Sequence, residues 1–189
     1  MKDRLRTFIA VSLSSPILTN IEKLMCTFPP DLEEIRWVEP KNLHVTLKFL
    51  GDVPLNTLPQ LIRAVTKCTH QIGSFDLTFQ GFGVFPSRES PKTIWIGCRE
   101  GSGELKQLAE SVNKCLLPLG FPKEARRFSP HLTIGRVKRP TQGSPLMSLL
   151  DAQQNRLFGS CSVSEVQIFS SEQTRRGVIY DELAAIPLR

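Results

Sequence analysis

An α+β fold of antiparallel sheets with helices packed on them is what the sequence predicts, and three observations lead there. Runs that alternate apolar and polar residues with period two, the mark of a half-buried strand, recur along the chain. Amphipathic stretches of helical period lie between some of them, without the regular strand–helix alternation of a parallel sheet. The third observation is a weak internal duplication: strand, helix and histidine-bearing strand occur in the first half and again in the second.

Thr7 to Leu13 reads as a strand. Ser15-Pro16 supplies an N-cap and a proline at the first helical position, and Ile17, Ile21, Leu24, Met25 and Phe28 recur at helical spacing until Pro29-Pro30 stops them. A short strand over Ile35 to Val38 leads through a turn at Pro40 into Leu43-His44-Val45-Thr46-Leu47-Lys48-Phe49, which Gly51-Asp52 ends. Strict alternation sends Leu43, Val45, Leu47 and Phe49 to the core and leaves His44, Thr46 and Lys48 on the opposite face. Lys48 at such a strand end reads as an exposed lysine.

Leu58, Leu61, Ile62, Val65 and Cys68 mark a second helix. Phe75 to Phe79 and Gly83 to Phe85 read as strands, Pro86 to Lys92 as a polar loop, and Thr93 to Cys98 as a further strand. A third helix carries Leu105, Leu108, Val112, Cys115 and Leu116, closed by Pro118 and Gly120. Pro130 introduces the strand of His131-Leu132-Thr133-Ile134. Lys138 to Pro145 is a loop, placed beside His131 as a substrate flap would be, and a short helix follows over Pro145 to Asn155. Val163, Val166, Ile168, Phe169, Val178, Ile179, Ile186 and Leu188 belong to closing strands joined by a polar turn, Ser170 to Gly177. No linker divides the 189 residues, so residues 1–189 are expected to form a single domain.

A formal charge of +6 favours an anionic partner, nucleic acid being the commonest. The basic residues are densest at Lys2 to Arg6, Lys123 to Arg127, Arg136 to Arg139 and Arg175-Arg176. Five cysteines, an odd number without C-x-x-C spacing, argue against a disulfide framework and a zinc ribbon. They read as reduced and mostly buried. The apolar stretch from Phe8 is too short, and too broken by Ser12 and Ser14, for a signal peptide, and no run approaches the length of a bilayer span. The expected setting is the cytoplasm, with no membrane partner.

On a strand, residues two apart share a face, so His44 projects with Thr46 and His131 with Thr133. An imidazole passes a proton near neutral pH, and a threonine hydroxyl beside it can donate to an anionic oxygen. One His-x-Thr alone is a weak signal, because an isolated strand histidine is more often structural. Of three histidines, however, two sit in this pattern; His70, near the end of a helical pattern, reads as a surface residue.

Here the sequence resembles the two-histidine phosphoesterases, specifically the RNA 2′,3′-cyclic phosphodiesterase or 2′-5′ RNA ligase-like branch. Three stretches carry the resemblance: Arg6-Thr7-Phe8-Ile9-Ala10-Val11, the run from Trp37 to Gly51, and Ser129 to Val137, with both H-x-T-x motifs intact. The resemblance implies two pseudo-symmetric lobes around a central cleft, each giving one motif. It also implies His44 as the acid that protonates a departing 3′-oxygen, His131 as the base that activates water, and Thr46 and Thr133 as holders of the nonbridging phosphate oxygens. Arg136 matches an arginine after the second motif that binds phosphate. Alternation places Arg136 opposite His131, a conflict that a bulge at Gly135 would resolve.

The implied substrate is RNA with a 2′,3′-cyclic phosphate end, tRNA fragments or small cyclic nucleotides included, acted on by a monomer. In-line displacement at phosphorus sets the attacking and leaving oxygens roughly opposite each other, which gives two histidines separate tasks. Neither metal nor cofactor is expected. There is no H-E-x-x-H, no carboxylate cluster near either motif, no Cys/His ligand spacing and no Gly-rich phosphate loop. A divalent ion shared by the two histidines is the alternative, one that would usually recruit a further carboxylate or cysteine. Two other functions remain open: the reverse reaction, a 2′-5′ ligation, and a non-catalytic RNA-binding module. Trp37 and Trp95 could stack on a base, though packing is the commoner role of such residues.

Overall fold

The computed structural model describes residues 3–29, 35–124, 126–138, 145–175 and 177–189. Their alternating segments pair into two antiparallel sheets. The first contains β1 (Arg4–Ser12), β3 (His44–Pro54), β8 (Glu165–Thr174) and β9 (Gly177–Pro187), in the order β3-β1-β8-β9. The second contains β2 (Ile35–Trp37), β4 (Phe75–Pro86), β5 (Pro91–Cys98), β6 (His131–Val137) and β7 (Leu157–Val163), in the order β2-β6-β5-β4-β7. The helices are α1 (Ser15–Met25), α2 (Leu58–Thr69), α3 (Ser102–Leu116) and α4 (Leu146–Ala152). The α+β class with two antiparallel sheets is therefore the observed one.

Helix periodicity finds its physical counterpart in what each helix covers. Ile17, Ile21 and Leu24 of α1 are buried, and α1 packs on β7. Leu61 and Val65 of α2 and Leu105, Leu108 and Val112 of α3 are fully enclosed where these helices meet each other and reach β9 and β3. Each sheet thus has one face closed by helices, and in both sheets the histidine lies on the other.

Several boundaries move. The first helix is capped one residue earlier, at Ser14, with Pro16 in its first turn. Phe75–Pro86 is one strand rather than two, because a single-residue irregularity at Gly81 (φ 68°) lets the pairing with β5 continue. Gly51 (φ 72°) likewise sits inside β3, which resumes pairing with β1 as far as Pro54. β8 and β9 run through most of the expected Ser170–Gly177 turn, pairing out to Thr174 and Gly177. The core of the expected flap, residues 139–144, lies outside the described residues, as does Pro30. Only Cys161 is buried; Cys26 is exposed and the other three cysteines are half-buried.

Candidate active site

Ser12 pairs with His44 and Ala10 with Thr46, so His44 and Thr46 share the face that the helices leave open. Between Ala10 and Ile9 the register slips: Thr46 and Lys48 are partnered but Leu47 is not. This bulge puts two successive residues, Leu47 and Lys48, on the helix side, and both are buried. Lys48 is therefore not on the His44 face. Its Nζ donates to Asn113 Oδ1 and to the Pro122 carbonyl, each at 2.7 Å. Burial lowers its pKa, and the charge of Glu124 opposes the shift. Phe49, expected in the core, is returned to the His44 face and is 62% exposed.

The same device recurs in β6. Gly97 pairs with His131, Trp95 with Thr133, and then Ile94 with Gly135 and Thr93 with Arg136, leaving Ile134 unpartnered. Ile134 and Gly135 are both buried, and Arg136 comes back to the side of His131 and Thr133. The bulge that the sequence required to bring Arg136 onto that face is present. Gly135 suits the place: a Cβ there would lie 3.0 Å from Trp37 and 3.1 Å from Ile35.

Each imidazole is held in the same way. Nδ1–H of His44 donates to the Asn42 carbonyl at 2.7 Å, and Nδ1–H of His131 donates to the Ser129 carbonyl at 2.7 Å. A carbonyl can only accept, so this bond fixes the proton on Nδ1 and leaves each Nε2 free to give or take one. Aromatic rings complete the setting. Phe8 lies 4.8 Å from His44 and 5.3 Å from Phe169, and Tyr180 meets His44 edge-on at 5.3 Å. Around His131, Phe85 stands edge-on at 5.1 Å and Trp95 at 6.2 Å. This enclosure lowers the His44 pKa below the ordinary 6.5, opposed by the bond to Asn42.

Trp95 lies flat because Gly83 beside it has no side chain. A Cβ on Gly83 would fall within the indole, so Gly83→Ala is expected to destabilise the fold by roughly 1–3 kcal/mol through overpacking. Urea denaturation will measure this, and wild-type stability would show that the indole is not confined. Trp37 instead packs on Phe28 at 5.0 Å. The Trp95 Nε1–H is buried and meets no acceptor among the described residues.

The two histidine strands adjoin, β3 contacting β6. Within the first sheet's own side, Asn42, just before β3, donates through Nδ2 to the Val178 carbonyl of β9 at 3.2 Å. Burial raises the Tyr180 phenol, and the Arg136 guanidinium of the other sheet opposes that rise. Phe8, Phe169, Tyr180 and Phe85 are site neighbours that motif reading missed. Their one trace in sequence is that Phe8 falls out of phase with the core residues Ile9 and Val11. The basic cluster at Lys123 to Arg127 lies elsewhere. With Lys106, Glu110 and Glu124, Lys123, Arg126 and Arg127 line a separate cavity of about 420 Å³ that also touches Leu47. Among the described residues no three His, Cys, Asp or Glu side chains group as metal ligands would.

Residues 25–175 match the model of the 2′-5′ RNA ligase superfamily. An RNA 2′,3′-cyclic phosphodiesterase of Methanothermobacter thermautotrophicus is 34% identical over 98% of this chain and 100% of its own. One from Archaeoglobus fulgidus is 34% identical over 95% and 98%. Among solved structures, E. coli LigT complexed with 3′-AMP has a TM-score of 0.79 at 26% identity, covering 98% of each chain. With a family match over most of its length and relatives of this similarity end to end, the chain belongs to the 2′-5′ RNA ligase superfamily of two-histidine phosphoesterases.

Proposed function

We propose that this chain hydrolyses RNA-terminal 2′,3′-cyclic phosphate to a 2′-phosphate end. The observation that carries this is the duplicated clasp: two imidazoles, each pinned through Nδ1 to the carbonyl two residues before it, each followed on its own face by a threonine. The relatives named RNA 2′,3′-cyclic phosphodiesterase support cleavage of the cyclic phosphate, with the choice of leaving oxygen resting on this proposal.

The chemistry needs only these groups. His131 Nε2 removes a proton from water as the water oxygen attacks phosphorus, and His44 Nε2–H gives its proton to the 3′-oxygen as the P–O3′ bond breaks. The products are a 2′-phosphate monoester and a free 3′-hydroxyl. Thr46, Thr133 and Arg136 donate to the nonbridging oxygens, where charge resides in the transition state. Burial lowers the His44 pKa and so opposes the protonated acid in the free protein, and an anionic phosphate against the ring works the other way, favouring the protonated form once substrate is bound. Ligation by the reverse reaction would use the same groups, but no observation favours it.

Incubation with a cyclic-phosphate-ended oligonucleotide, with and without a chelator, tests the proposal. The expected product is a 2′-phosphate end in both. An unchanged substrate would remove the hydrolase reading, and strict dependence on an added divalent ion would remove the paired-histidine mechanism.

A further inference from the structure

Antiparallel pairing sets Arg36 of β2 directly opposite Arg136 of β6. Paired residues share a face, so the bulge that brings Arg136 round to His131 and Thr133 puts Arg36 there too. Ile35 and Trp37 fix β2 from the other side, against Gly135 and Phe28. Two arginines of like charge thus stand directly opposite each other across the strand pair, an arrangement that is destabilising unless an anion lies between or over them.

No ion pair with a described residue joins either arginine, and Glu39, the carboxylate that follows β2, is paired with Lys41 at 2.9 Å. Thr93 lies opposite Arg136 on β5, and Tyr180 of β9 faces it; Arg36 Nη2 reaches the backbone at Gly177, where a Cβ would lie 3.2 Å from it and 3.9 Å from Glu39 Oε1, the carboxylate already paired with Lys41. Both arginines are exposed. Each presents five N–H donors in a fork that matches phosphate oxygens.

We infer that Arg36 binds the phosphodiester immediately 5′ of the terminal nucleotide, with Arg136 between that phosphate and the cyclic one. This rests on the hydrolase reading of the same site. Adjacent strands lie about 4.8 Å apart, so a guanidinium on β2 extends the row His131, Thr133, Arg136 outward by one strand. The row then serves more than one phosphate. The pair distinguishes an RNA end from a free cyclic nucleotide, since only the former carries an upstream phosphodiester.

The test compares Arg36→Ala with wild type on three substrates: adenosine 2′,3′-cyclic phosphate, a dinucleotide with the same end, and that dinucleotide with an uncharged methylphosphonate linkage. The substitution is expected to raise KM roughly tenfold to a hundredfold on the charged dinucleotide, as loss of a charge-assisted contact does, with kcat unchanged. KM on the other two should stay within twofold. Affinity for the 2′-phosphate-ended dinucleotide, followed against salt without turnover, should show a log–log slope shallower by about 0.7 in the variant. Equal loss on all three substrates would assign Arg36 to the cyclic phosphate or to folding, and overturn the inference. No loss on any, with an unchanged salt slope, would reduce the pair to a solvated edge. Failure of wild type to hydrolyse any substrate would instead strike the hydrolase reading, and the salt slope would still decide on Arg36.

Discussion

Replacing His44 or His131 with alanine is expected to lower turnover by roughly 10² to 10⁴, the usual contribution of one positioned acid or base. Both act on one transition state, so the double variant should lose less than the product of the single losses. Wild-type turnover in both folded single variants would falsify the paired mechanism. The state of His44 makes the pH dependence more specific. In the free protein its pKa is held below 6.5, so the protonated form, and with it kcat/KM, is lost as pH rises through that lowered value. Bound phosphate raises the same pKa, and the alkaline limb of kcat should therefore lie at higher pH than that of kcat/KM. Coincident limbs would mean that substrate leaves the titration of the pair unchanged, and the apparent values belong to that pair rather than to one ring.

The regiochemistry of ring opening should be equally decisive. The two ester oxygens of a cyclic phosphate are chemically similar, and unassisted hydrolysis gives a mixture of 2′- and 3′-phosphates. An acid fixed by its Nδ1 bond reaches only one of them in line with the attacking water. A difference of about 2.7 kcal/mol between the two transition states suffices for roughly a hundredfold excess of one product. The expected excess is the 2′-phosphate, read by phosphorus NMR or by resistance to a 3′-specific phosphatase. A predominant 3′-phosphate would reverse the orientation of substrate between His44 and His131. An even mixture would argue against a positioned acid.

What sequence could and could not show follows from period two. His44 with Thr46, and His131 with Thr133, were legible as pairs because two residues on one unbroken strand always share a face. The bulges were not, because an unpartnered residue leaves no trace in an apolar–polar pattern; Lys48 and Phe49 simply continue the alternation of Val45 to Leu47. One unpaired Leu47 therefore exchanged a surface lysine for a buried one and a core phenylalanine for an exposed one. At Gly135 the glycine and the misplaced Arg136 together did signal the irregularity. Tyr180, Phe169 and Phe85 reach the histidines from distant strands, brought there by the registers of β8 on β1 and β9 and of β5 on β4 and β6. Arg36 is plain in sequence as the polar centre of Ile35-Arg36-Trp37, but its partner is known only from pairing with β6.

A backbone that repeats itself sets a problem of direction. Same motif, same carbonyl clasp and same bulge make the two histidine strands nearly interchangeable, so a ligand turned end over end would meet the same clasps with donor and acceptor of the proton exchanged. The fifth residue after each histidine cancels that equivalence. Both bulges turn this residue toward the open face, and it is an aromatic ring, Phe49, on one strand and a cation, Arg136, on the other. The motifs are a coin with two like faces; the residue three beyond each threonine marks heads from tails, and any substrate with a greasy end and a charged end has one way to lie.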